Sequence, residues 1–167
     1  MDTLKRIPML LLFCLFQVWV ANKIALFGYA TPLLYLYPLL RLPVHISRNS
    51  LLLHAFFIGL FIDVFSNTPG MHASAATAIA LLRPILLGFF VDKNVDDNLR
   101  PSIATLRFGS FSLYVVIAVA LHHLLFFTVQ TFMGGDLLLL LYRFMASCLL
   151  TSILILLIDL LRGYQQK

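Results

Sequence analysis

The side chains able to do chemistry in this sequence are few, and they sit inside apolar runs: Asp63, His72, Arg83, His122, His123 and Arg143. An ionisable group at membrane depth is costly to hold, so it marks an internal pairing or a path for substrate or protons. Asp63 and Arg143 fall at comparable depth, which predicts a structural ion pair. The rival reading is a substrate or proton site built on Asp63 with His72, His122 or His123. A shared metal is disfavoured, because adjacent His122 and His123 diverge by about 100° on a helix. The chain has no glutamate and no GxSxG, HExxH or GxxxxGK[ST] string. The expectation is a protein that is not an enzyme and has no catalytic, cofactor or metal residues.

The elements that must position these groups are apolar segments. Of the 167 residues 61% are hydrophobic and 11% charged, whereas a soluble domain is roughly a quarter charged. The sequence therefore predicts an all-α integral membrane protein, a single multi-pass domain over 1–167 with about six transmembrane helices in one bundle. The segments are Ile7 to Phe27, Tyr29 to Leu42, Ser50 to Phe65, Met71 to Val91, Phe108 to Phe132 and Leu137 to Leu161. Tyr29 to Leu42 is short and holds Pro32 and Pro38. It reads as a kinked span, a re-entrant segment or part of one bent unit with the first. Lys5 and Arg6 before an apolar run imitate a signal peptide with a cleavage site at Gly28 to Ala30, but the spans that follow favour a retained first helix. Cys14 and Cys148 lie inside apolar segments and read as small packing residues.

Charge orients the bundle. With a cytoplasmic N-terminus, the inner side receives Lys5, Arg6, Arg41, Arg48, Lys93, Arg100, Arg107, Arg162 and Lys167, and the outer side only Lys23. The turns at Asn67 to Gly70 and Met133 to Asp136 have no Lys or Arg, so both termini are expected in the cytoplasm. The one sizeable polar connection, 92–107, becomes a cytoplasmic loop, either a solvated topology determinant or a docking site. The basic residues form no single face or run, which argues against nucleic acid.

Several features predict packing. Ala73, Ala76 and Ala80 share a small-residue stripe in the fourth segment, and Ala21 with Ala25 repeats the spacing in the first. Such stripes let helices approach closely, within the chain or against a partner. Arg83 is expected to snorkel to the cytoplasmic interface, with Pro84 bending the helix. Asp159 beside Arg162 marks the inner end of the last helix. Asn67, Thr68, Pro69 and Gly70 are turn formers, so the third and fourth segments are expected to form a hairpin at the outer face with Asp63 and His72 beside its tip.

The string from Gly59 through Asp63, Pro69, Gly70 and His72 to Ala73, followed by a small-residue helix reaching Arg83 and Pro84, resembles the rod shape-determining protein MreD family. The resemblance is most specific over about 25 residues and extends loosely over the whole chain. It implies a scaffold of bacterial wall elongation in the cytoplasmic membrane. The implied partners are the single-span protein MreC, the elongation glycosyltransferase and transpeptidase, membrane lipid and, indirectly, the MreB cytoskeleton. It also implies a fold similar to the substrate-binding subunits of energy-coupling-factor transporters, which supplies the alternative of a vitamin-type binding subunit. There Asp63, His72, Trp19 and tyrosines would converge on an outer pocket. Gly59, Asp63, Gly70 and Arg83 carry over as structural or interface positions.

Overall fold

Uninterrupted runs of Leu, Ile and Phe coil into helices in an apolar medium, because a helix lets one segment satisfy its own backbone hydrogen bonds. The computed structural model describes residues 2–24, 26, 29–92, 95–96, 98–132 and 136–164, with the backbone alone for 2–7 and 164. Helix α1 runs Asp2–Trp19, α2 Leu36–Leu40, α3 Arg48–Ser66, α4 Met71–Leu87, α5 Ile103–Phe132 and α6 Leu137–Tyr164. Among the described residues there is no strand, only an isolated bridge between Leu26 and Ala30. Three stretches, Arg48–Ser66, Ile103–Phe132 and Leu137–Gly163, are long and apolar enough to cross a bilayer; Pro8–Lys23 and Met71–Leu87 are shorter apolar helices. This is an all-α membrane architecture.

Neighbouring helices pack in chain order from α3 to α6, and α1 closes against α3. Asn22 Nδ2 donates to Ser66 Oγ at 2.7 Å, joining the far ends of α1 and α3. At the opposite end Arg162 reaches Met9 Sδ at 3.6 Å. The bundle thus has a hairpin end, at the α3–α4 turn, and a terminal end, where α1 begins and α6 finishes. α5 is broken near its start by Arg107, at φ 63° and ψ 159°. The uninterrupted helix therefore begins at 108, as the apolar run does.

The segment between α1 and α3 forms little helix. Pro32 and Pro38 limit it to the five residues of α2, and the chain before α2 is extended or turned. Yet Pro32 to Leu40 are all buried. The segment lies along α6: the Thr31 N–H donates to Ser147 Oγ at 3.0 Å, Leu33 N–H to Thr151 Oγ1 at 3.0 Å, and Tyr37 OH to Asp159 at 3.0 Å. From 147 to 159 an α-helix rises about 18 Å, so an unwound chain is threaded through much of the bundle's depth. Such backbone is tolerated in a membrane only where protein surrounds it and supplies the missing hydrogen bonds.

Gln17 of α1 supplies most of them on one side. Its Nε2 donates to Pro32 O at 2.8 Å and to Asn22 Oδ1 at 2.7 Å, and its Oε1 accepts the Leu34 N–H at 2.7 Å. Arg83 of α4 supplies the other end, donating to the carbonyls of Pro43 at 3.3 Å, Leu40 at 3.2 Å and Leu42. Tyr114 OH adds a bond to Leu40 O at 3.2 Å. Arg83 is 1% exposed, which corrects the expectation of a side chain snorkelling to the interface. Its fork is captured by carbonyls that the short α2 and the turn after it leave open. Pro84 lies inside α4, which continues to Leu87.

Replacing Gln17 by Leu would keep the volume and strand a buried carbonyl and N–H, each costing about 1–3 kcal/mol. Q17L is expected to be less stable than the parent by about 2–4 kcal/mol in reversible denaturation in detergent; unchanged stability would contradict this anchoring.

Candidate functional site

The hairpin end gathers most of the candidate residues, and their geometry begins with a glycine. Gly59 lies so near α4 that a Cβ added to it would sit 2.4 Å from Ala73 Cα. The two backbones touch there because neither residue presents bulk. Ala73, Ala76 and Ala80 are 5%, 0% and 1% exposed, so their stripe is spent on packing inside the chain. Of the similar pair in α1, Ala21 is buried and Ala25 lies outside the described residues.

One turn beyond Gly59, on the same face, stands Asp63. Its Oδ1 accepts from the His72 N–H at 3.0 Å, His72 Nδ1 at 2.9 Å and Thr68 Oγ1 at 2.8 Å; Oδ2 accepts the Ala73 N–H at 2.9 Å. Gly70, at the N-cap of α4, has φ 78° and no side chain to cap with. The carboxylate from α3 closes that helix start instead, taking the N–H groups of its second and third residues. The positive end of the helix dipole favours a negative charge in this place. Asn67, at φ 54°, ends α3 in the left-handed region, and Pro69 lies exposed in the turn between them.

This arrangement corrects the expected Asp63–Arg143 ion pair. Among the described residues Arg41 pairs with Asp159 at 2.9 Å, and Asp63 is met by the His72 ring nitrogen Nδ1 at 2.9 Å. Equal depth did not bring Asp63 and Arg143 together, because Asp63 faces the start of α4 and its oxygens are filled from there. Asp159 likewise pairs with Arg41, not Arg162, and its Oδ2 accepts the Ile103 N–H at 2.7 Å. It caps α5 from α6, as Asp63 caps α4 from α3.

His122 and His123 are both fully buried and go separate ways. Tyr35 OH lies 2.6 Å from His122 Nε2. His123 Nδ1 donates to Val119 O at 2.9 Å, and its Nε2 is 3.4 Å from Thr151 Oγ1. No group of His, Cys or acidic side chains with metal-holding geometry occurs among the described residues.

Beside the hairpin tip a cavity of about 330 Å³ opens between α5, α6 and the threaded segment; His72, His123, Gln130, Arg143 and Ser147 are among its lining residues. Tyr29 also lines it, whereas Asp63 is not part of the lining, and Trp19 is 67% exposed outside it. A second, apolar groove of about 600 Å³ runs between α1 and α3, walled by Leu53, Phe57, Leu60 and Val64 among others. In the 92–107 connection, Lys93, Asn94 and Asp97 lie outside the described residues, as do 133–135 of the turn before α6. The described part of 92–107 is tied to the core by the Val44 N–H donating to Leu99 O at 2.9 Å.

Neither the family models, the curated proteins nor the solved structures compared with this chain give a match.

The residues that attention to ionisable groups passed over are neutral: Gln17, Tyr35, Ser147 and Thr151. The signal for Gln17 was present, as an isolated amide inside an otherwise apolar run, since a polar side chain at that depth needs an internal partner.

Two substitutions separate capping from ion pairing. D63N removes the charge and one acceptor, and is expected to lower stability by about 2–4 kcal/mol, while R143Q stays within about 0.5 kcal/mol of the parent. Equal losses in the two, measured by denaturation in detergent, would restore the ion pair. G59A, which forces a methyl group against Ala73 Cα, is expected to cost about 1–3 kcal/mol; a neutral result would show that α3 and α4 are not in backbone contact.

Proposed function

We propose that this chain is a non-catalytic scaffold of the bacterial cell-elongation complex, supporting rod shape and peptidoglycan synthesis from the cytoplasmic membrane. The observation that carries the reading is the hairpin tip. Gly59, Asp63, Thr68, Gly70, His72 and Ala73, which include the residues of the MreD-like stretch, are engaged in close packing, a turn and a helix cap. Residues spent in this way hold a shape for others to bind.

Charge supports the orientation. Arg41, Arg48, Arg100, Arg107 and Arg162 gather toward the terminal end, and Lys23 lies at the other. By the positive-inside rule the terminal end is cytoplasmic, with both termini. The six apolar segments then form one bundle of the kind found in energy-coupling-factor substrate subunits, the second being the threaded chain. The α1–α3 groove is the surface proposed for a partner's single span, because large side chains of a lipid-embedded helix fit between Phe57 and the small Cys14. The partner classes are an MreC-like single-span protein and, through it, the elongation glycosyltransferase and transpeptidase, with the MreB cytoskeleton reached indirectly.

The polar cavity beside His72 favours a second reading, a small-molecule-binding subunit of a transporter. A photo-crosslinking residue at Phe57, with one at lipid-facing Ile153 of α6 as control, separates the two. The scaffold reading expects a single-span partner crosslinked from 57 and not from 153, co-purifying with wall-synthesis enzymes in mild detergent. Recovery of a paired ATPase module in their place would contradict it.

A further inference from the structure

Among the described residues, Arg143 is a basic side chain that the architecture leaves without a partner in the wall of a cavity. It lies six residues into α6, about 9 Å along the helix from its start, and is half-buried in the wall of the cavity beside the hairpin tip. It makes no hydrogen bond or ion pair with any described residue. The carboxylate at comparable depth, Asp63, is already filled by Thr68, His72 and Ala73. A guanidinium at this depth without a counter-charge is costly, and no Asp or Glu lines the cavity to provide one.

The rest of the wall points the same way. Gln130 and Thr31 line the cavity with side chains that bond to no described residue, and Ser147 accepts from the Thr31 N–H while keeping its own proton free to donate. His72 has committed Nδ1 to Asp63, leaving Nε2 for the cavity. Phe126, Phe127 and Leu33 add apolar surface to the lining. The space of about 330 Å³ would hold about ten waters and lies at the lower end of the range for small-ligand sites.

We propose that this cavity binds the phosphate of an anionic ligand, with Arg143 as the charge partner, Gln130 and Ser147 as neutral donors, and the phenylalanines against the ligand's apolar part. A guanidinium fork matches two oxygens of a phosphate, and Arg143, about 9 Å from the start of α6, is close enough to that end for its long side chain to reach toward the interface where lipid headgroups lie. The phosphate can come from a lipid headgroup or from a water-borne phosphate monoester, since both present the same oxygens. The proposal does not depend on the scaffold reading: a scaffold can hold a bound lipid.

The test uses the full chain, delipidated in a neutral detergent and followed by native mass spectrometry. The probes are phosphatidylglycerol, glycerol 3-phosphate and uncharged diacylglycerol, and the variants R143Q, Q130A and, as an exposed-arginine control, R48Q. Phosphatidylglycerol is expected to bind the parent and R48Q alike and R143Q about tenfold more weakly or worse, with Q130A between them and diacylglycerol not retained. Binding of glycerol 3-phosphate with the same dependence on Arg143 would support the site and assign its ligand to the aqueous phase. Binding of every probe equally by R143Q and the parent, or retention of neither phosphate probe by the parent, would overturn the proposal. Because R143Q is expected to keep the parent's stability, lost binding in it is not lost folding.

Discussion

A backbone that runs through an apolar medium with little helix must find a partner for each N–H and C=O, and much of this molecule is arranged around meeting that demand between residues 31 and 43, where only the five residues of α2 are helical. In water an extended stretch would be satisfied by solvent; in a bilayer each orphaned group costs several kcal/mol. Gln17, Ser147 and Thr151 serve the half near the hairpin end, and Arg83 with Tyr114 serves the half near the terminal end. Helices α1, α4, α5 and α6 therefore each place a polar side chain toward the same thread. Their mutual positions are fixed by hydrogen bonds as well as by packing, which matters where lipid removes the hydrophobic drive for helices to associate.

The two buried carboxylates work by a common rule at opposite ends. Asp63 closes the start of α4 from α3, and Asp159 closes the start of α5 from α6 while pairing with Arg41. The start of α4, at Gly70, has no capping side chain of its own and borrows one; at the start of α5 the Ser102 hydroxyl accepts the Thr105 N–H at 3.2 Å and Asp159 adds a partner for the Ile103 N–H. The charge offsets the exposed N–H groups of the helix start, and those groups offset the cost of burying the charge. A residue that looks catalytic by type is here a joint between helices.

The apolar segments and the hairpin were legible because their signals are local. Asn67 to Gly70 is a turn by composition, and α3 and α4 end and begin within about two residues of where the apolar runs do. The internal partners were not legible, because depth along a span can be counted from sequence and the direction a side chain faces around the bundle cannot. Asp63 and Arg143 share a depth and face different neighbours; Arg83 was near enough to the interface to snorkel, but α2 and the turn beyond it supplied carbonyls at shorter reach. The threaded segment was marked by Pro32 and Pro38, which fixed that it would not be a regular helix without fixing what would satisfy it. Gln17 completes that account, and it lies outside the ionisable class.

The most direct measurement is amide hydrogen exchange of the chain in lipid nanodiscs, read at Thr31, Leu33 and Leu34. These amides are bonded to side chains in a stretch without regular secondary structure. Protection comparable to that of the α3 and α4 amides is the expected result, with selective loss at Leu34 in Q17L. Exchange of all three as fast as an exposed loop would show that the segment is not threaded through the bundle, and the account of its anchoring would fail.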